Sequence, residues 1–227
     1  MYKPEDIIIV GDSFCISREQ PEDWPVHLTK LLTGEAIVPR GRGHGGCAWW
    51  STRKCLLNEL SQKPAKVLII CHTELTRLWS DEDRPLNSMS VQNYKQLLAE
   101  VDGSSRSSKE LADAGNAYYK YLFSMEFHEW AAKAWYKELD ALVVFHNIEK
   151  VIHLHCFPEY MCGSENRYVF KNGINVSNVL FNYQDLSVKH FAHNHNHFDI
   201  NLNLKLAEEL YGVINSNTDN TTTTLNL

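Results

Sequence analysis

No run of apolar residues in this chain reaches the roughly 18 that a membrane-spanning helix requires, so no membrane span is expected. Positive charge is also in short supply. Twenty-two Lys and Arg stand against 28 Asp and Glu, giving a net charge of −6 and a pI near 6.0. That balance argues against a broad nucleic-acid surface and leaves room only for a local basic patch. The six cysteines (Cys15, Cys47, Cys55, Cys71, Cys156 and Cys162) include no C-x-x-C pair. Met1-Tyr2-Lys3-Pro4-Glu5-Asp6 lacks the form of a signal peptide. Without one, the thiols are expected to be reduced and the protein cytoplasmic. The sequons at Asn175 and Asn220 then carry no weight. There is no internal repeat and no sign of a second domain.

What is present suits one large α/β domain of 227 residues. Ile7-Ile8-Ile9-Val10 is a short apolar run ended by Gly11, which reads as a buried parallel strand. Asp12 and Ser13 follow at its carboxyl end, the edge where open α/β sheets bind ligands. Gly-Asp-Ser also fits a strand followed by an Asp or Ser helix cap. Further along, residues 22–32 have helical spacing and end at Gly34. Ala36-Ile37-Val38 reads as a second strand. The glycine-rich Arg40–Cys47 stretch reads as a loop whose backbone can approach a ligand closely. A helix is expected from Ala48 to Leu60, then a strand over residues 66–71 ending in the polar His72-Thr73-Glu74-Leu75-Thr76-Arg77.

Past a charged loop at 80–87 and a short helix at 91–101, residues 102–108 look like a mobile loop. Tyr119, Phe123, Phe127, Ala131 and Trp135 recur every fourth residue, predicting one long helix whose aromatic stripe packs on the sheet. Residues 150–156 read as a strand in which His153 and His155 share a face as interior histidines. Residues 167–171 and 176–181 are shorter extended pieces. Trp49 and Trp50 fit packing at a helix start, with a pocket wall as the alternative. Leu202, Leu206, Leu210, Val213 and Ile214 mark a closing helix, capped by Asp199. The polar tail, 215–227, is expected to be disordered.

Three polar clusters thus fall at strand ends or loops, and a His-rich loop precedes the last helix. A nucleophilic Ser needs a base within reach and donors for the oxyanion, and these clusters supply such groups. Here the chain resembles the SGNH (GDSL-type) hydrolase superfamily over roughly residues 5 to 214. The resemblance rests on Gly11-Asp12-Ser13, the Gly41–Gly46 loop and Asn196-His197-Phe198. It implies a Ser13 nucleophile, a His197 base, and an oxyanion site built from the Ser13 and Gly46 N–H groups, with Gly45 the nearby alternative. It also implies a three-layer α/β/α sandwich with a mostly parallel, flavodoxin-like sheet, and no cofactor. His-Thr-Glu combined with the Asn-His-apolar ending looks like bacteriophage members of the superfamily.

Two positions depart from the family pattern. Glu74 stands where the family has an oxyanion-donating Asn, after Thr73 in the same block. Asn194 stands where it has the Asp that steadies the catalytic His. A carboxylate accepts hydrogen bonds but cannot donate them. Two other roles are open to Glu74: orienting His197, or pairing with Arg77 three residues on. His190, His193, His195 and His197, with Asp199, offer alternate-residue spacing for a metal. A polar loop bearing one catalytic His is the reading adopted, with no metal. The expected function is cleavage of an ester or acyl group in a small-molecule, glycan or lipid substrate. The rival is a non-catalytic SGNH-like binding protein that keeps the pocket.

Overall fold

In the computed structural model, the described residues are 2–17, 21–41, 43, 47–78, 106–155, 170–177, 200–216 and 222–224. They form an α/β fold around one five-stranded sheet. Its strands are β1 (Ile7–Gly11), β2 (Val67–His72), β3 (Lys150–His155), β4 (Ile174–Ser177) and β5 (Thr222–Thr224), in that spatial order. Every pairing is parallel, with Ile7 opposite Val67, Val67 opposite Lys150 and Ile152 opposite Ile174. The helices are α1 (Trp24–Thr33), α2 (Trp49–Gln62), α3 (Arg106–Tyr121), α4 (Met125–Phe145) and α5 (Ile200–Asn215).

Strand alternation sorts the core into two layers. Ile7, Ile9, Val67, Ile69, Ile152, Leu154, Ile174 and Val176 face Trp24, Leu28 and Leu32 of α1 and Leu206 and Leu210 of α5. Ile8, Val10, Leu68, Ile70 and Val151 face Leu56 and Leu60 of α2 and Trp135, Leu139 and Val143 of α4. Strands buried on both faces are apolar throughout, which is why these runs do not alternate in sequence. The result is the expected α/β/α sandwich.

Ala36-Ile37-Val38 is not a strand, and Ile37 and Val38 are exposed. The chain meets the free edge of β1 later, through single parallel bridges at Ile8–Arg40 and Gly11–Gly43. The Arg40 guanidinium explains the displacement. It donates to the carbonyls of Glu5 and Pro64, each at 2.9 Å, to that of Lys63 at 2.8 Å and to that of Glu59. This clamp anchors the edge segment at Arg40. Counting that segment as the second in sequence, the spatial order reads second, first, third, fourth, fifth, sixth. The direction of winding therefore reverses between β1 and β2, the topological switch point of such sheets.

Three other expectations change. The single long helix is two, because Ser124 is extended (φ −137°) and its hydroxyl accepts the Phe127 N–H at 3.2 Å, capping α4. The buried stripe of α4 is His128, Ala132, Trp135, Leu139 and Val143, so Phe127 lies outside it and is exposed. Arg106–Ser108, expected within a mobile loop, begin α3. Within the tail, Thr222–Thr224 forms a strand that pairs with the outer edge of β4, where β-branched threonines suit a pleated strand. The organised domain therefore runs past residue 214. The expected helix at 91–101 lies outside the described residues. Of the extended pieces at 167–171 and 176–181, only 170–171, which is not strand, and 176–177, within β4, are described.

Candidate functional site

The carboxyl ends of β1 and β2 lie side by side at the switch point, with Gly11 opposite Cys71. Gly11 has φ 151°, and a Cβ there would sit 2.4 Å from the Cys71 carbonyl oxygen, so only glycine lets β1 leave the sheet here. Asp12 follows, and Ser13–Cys15 forms a single 3-10 turn closed by the Cys15 N–H on the Asp12 carbonyl at 3.2 Å. Gly43 crosses above this turn. A Cβ on it would lie 2.5 Å from the Asp12 carbonyl oxygen, so only glycine lets this segment pass so close to the turn.

Asp12 is fully buried, and its carboxylate accepts the Phe14 N–H at 3.0 Å. Its other oxygen faces Arg77 Nη1 at 3.5 Å. Arg77 in turn donates from Nε to Glu74 Oε2 at 3.1 Å. One buried guanidinium therefore bridges two carboxylates across the switch point. Burial pushes the Asp12 carboxyl up to about 7; Arg77 and the Phe14 N–H oppose the rise, and Glu74 adds to it. Of the two roles open to Glu74, pairing with Arg77 is the one observed.

The Glu74–Arg77 turn is held from behind by α3 and α4. The Tyr119 hydroxyl donates to the Thr76 carbonyl at 2.7 Å. His128 Nδ1 donates to the Leu75 carbonyl at 3.0 Å, and with Nδ1 protonated the neutral ring's Nε2 accepts from the Tyr118 hydroxyl at 2.8 Å. Burial lowers the His128 pKa, consistent with this neutral form. Thr73 is buried, and its hydroxyl has no hydrogen-bond partner among the described residues.

Two thiols line the inner side of the turn. Cys15 Sγ donates to the Asp12 carbonyl at 3.3 Å and Cys47 Sγ to the Gly11 carbonyl at 3.2 Å. Burial, then the charge of Asp12, pushes the Cys47 thiol up to about 12. A thiol held so far from ionisation is a packing group rather than a nucleophile.

Behind the site, His72, His153 and His155 lie together on the α4 side of the sheet, all buried. His153 Nε2 donates to the Asn172 carbonyl at 3.2 Å, so the neutral ring accepts on Nδ1 from His72 Nε2 at 3.1 Å. Phe170 stacks on His153 with centroids 3.5 Å apart, and His155 stacks on His72 at 4.8 Å. Burial pushes His153 down to about 3, so its imidazole is neutral at physiological pH. His153 and His155 are interior histidines, as their shared strand face suggested. No group of three or more His, Cys, Asp or Glu among the described residues is placed to hold a metal. Trp49 and Trp50 pack edge to face at the start of α2, and the Arg53 guanidinium lies 4.9 Å above Trp50.

Ser13 stands where the sequence put it, as the first residue of the turn after β1. Glu74 and Thr73 join it on the same sheet edge. Gly45, Gly46, Asn194 and His197 lie outside the described residues, as do His190, His193, His195 and Asp199. The Asp12–Arg77 bridge was not anticipated, although both residues follow strands that the pattern had identified. Tyr119 and His128 were not singled out as supports, and nothing in the helix periodicity marks a residue that props a loop on another element. Comparison with protein-family models, curated proteins and solved structures finds no match. Among the described residues, no helix is long and apolar enough to cross a membrane.

Proposed function

We propose that this protein is a serine-dependent hydrolase that cleaves an ester or acyl group, with Ser13 as nucleophile and His197 as base. The observation that carries the reading is the position of Ser13. It opens a tight turn at the carboxyl end of β1, at the switch point and beside a buried charged bridge. His197 takes the Ser13 hydroxyl proton as the oxygen attacks the substrate carbonyl. The backbone N–H groups of Ser13 and Gly46 hold the oxyanion. The intermediate collapses, the leaving group takes the proton from His197, and water then releases the acyl group from Ser13 by the same route. No cofactor enters this sequence.

Asp12 and Arg77 act as positioning residues in this scheme. Asp12 fixes the turn through the Phe14 N–H, and Arg77 ties that turn to the end of β2. With its carboxylate engaged by Arg77, Glu74 does not face the oxyanion as an isolated charge. The same contact favours a second reading, a non-catalytic binding protein, because position 74 then supplies no side-chain donor. Hydrolysis of short-chain aryl esters separates the two. The hydrolase predicts turnover that is lost in Ser13→Ala and His197→Ala and is insensitive to chelators. The binding protein predicts no turnover in any of them. Inactivation by a chelator, with His190→Ala and His193→Ala as damaging as His197→Ala, would point to metal-dependent chemistry instead.

A further inference from the structure

Phe127, which the core does not absorb, lies beside an exposed tryptophan on the outer face of α4. At 3.6 residues per turn, Trp130 projects roughly 180° away from the buried stripe of α4, straight off the sheet. It is 67% exposed, and its ring lies 6.1 Å from that of Phe127, which is 57% exposed. The corner between α3 and α4 adds Tyr121 at 71% and Leu122 at 73%, with Phe123 and Met125 also exposed. With each large aromatic presenting roughly 150–250 Å² when fully open, this patch exposes on the order of 600 Å² of apolar surface. That is at the upper limit of what monomers show and near the roughly 800 Å² each partner contributes to a stable interface.

We infer that this corner is a homodimer interface, and that its occupant is the same corner of a second copy of the chain. The order of charges on α4 selects that occupant. Glu126, Trp130 and Lys133 lie on one outward face within about 60° of one another. In a two-fold, antiparallel pairing of α4 with itself, Glu126 of one copy lies against Lys133 of the other, and the Trp130 side chains meet near the axis. Such isologous contacts are self-complementary by symmetry. An anionic lipid surface finds no such match, because Glu126 adjoins Trp130 on this outward face and the whole chain carries −6.

Sedimentation velocity of the full chain across a wide concentration range tests this. The expected result is a monomer–dimer equilibrium that Trp130→Asp weakens at least tenfold, with thermal melting unchanged because the residue packs on nothing in the core. Glu126→Lys and Lys133→Glu should each weaken the dimer, and the double exchange should restore it. In the unmodified chain, peptides covering 121–133 should gain protection from hydrogen exchange as concentration rises. A monomer at all concentrations, or a dimer indifferent to Trp130→Asp, overturns the proposal. So does patch-dependent binding to anionic vesicles without self-association.

Discussion

Two polar regions are buried in the same sheet and solve the problem of burial in opposite ways. At the carboxyl edge, Asp12, Arg77 and Glu74 form a bridge of charged groups in which the guanidinium offsets the carboxylates. On the α4 side of the sheet, His72 and His153 are joined by a ring-to-ring hydrogen bond, His155 stacks on His72, and His153 gives up charge altogether. Burial penalises the charged form in both, but it raises an acid's pKa and lowers a base's. The first arrangement retains an electrostatic field beside Ser13. The second rigidifies the layer under it without one.

The largest expected effect on the charged bridge comes from Arg77→Met. Removing one partner of a buried pair leaves the other uncompensated, which typically costs about 3–5 kcal/mol. Because protonating Asp12 relieves the loss, denaturant melts should show a larger penalty at pH 8 than at pH 5.5. An equal penalty at both would mean that Arg77 supports the fold by packing alone.

Next come the two titrations, which have opposite signs. The folded pKa of His153 is depressed from 6.5 to about 3. Its contribution is present above 6.5 and is lost as pH falls, by about 2 kcal/mol at pH 5. The folded pKa of Asp12 is raised from 3.8 to about 7, so its contribution is present below 3.8 and is lost as pH rises toward 7. Between pH 4 and 6.5 the two slopes oppose each other. Asp12→Asn should therefore leave a protein that weakens steeply in acid. His153→Leu should leave one that gains stability in acid, whatever its absolute stability. Parallel pH profiles for the two variants would contradict the comparison.

The smallest effects come from the groups that support the bridge. Tyr119→Phe removes one hydrogen bond to the Thr76 carbonyl and should cost about 1 kcal/mol. Glu74→Gln should cost about 1 kcal/mol, as expected for a pair that is partly open to solvent. It should also lower the Asp12 pKa, since Glu74 is one of the charges that raises it. An NMR titration of the Asp12 carboxyl reads that shift, and a rise would contradict the observed geometry.

Strands β1 to β3 were legible because parallel strands covered on both faces read as apolar runs, of which Ile7–Val10 and Val67–Ile70 are the clearest, whereas β5 fell in a tail whose polar composition reads as disorder. The closing helix was legible through Leu202, Leu206 and Leu210. The α3–α4 corner was not, because a four-residue aromatic repeat continues smoothly across Ser124, and period alone cannot tell a buried stripe from an exposed one. The Ser124 cap was the local signal available. The edge segment was misplaced for another reason. Ala36-Ile37-Val38 has the propensity, but the Arg40 hydrogen bonds fix where the chain meets β1. At the site, Ser13 and Glu74 were legible as strand-end positions. The Asp12–Arg77 contact depends on how two strand ends abut, which pattern reasoning does not encode.

In the proposed hydrolase, Ser13 is an activated nucleophile. A fluorophosphonate probe followed by peptide mapping addresses it directly. The expected result is one adduct, on Ser13, that disappears in Ser13→Ala and is strongly reduced in His197→Ala. An adduct on another serine, or none under conditions that label an active serine hydrolase, would contradict it.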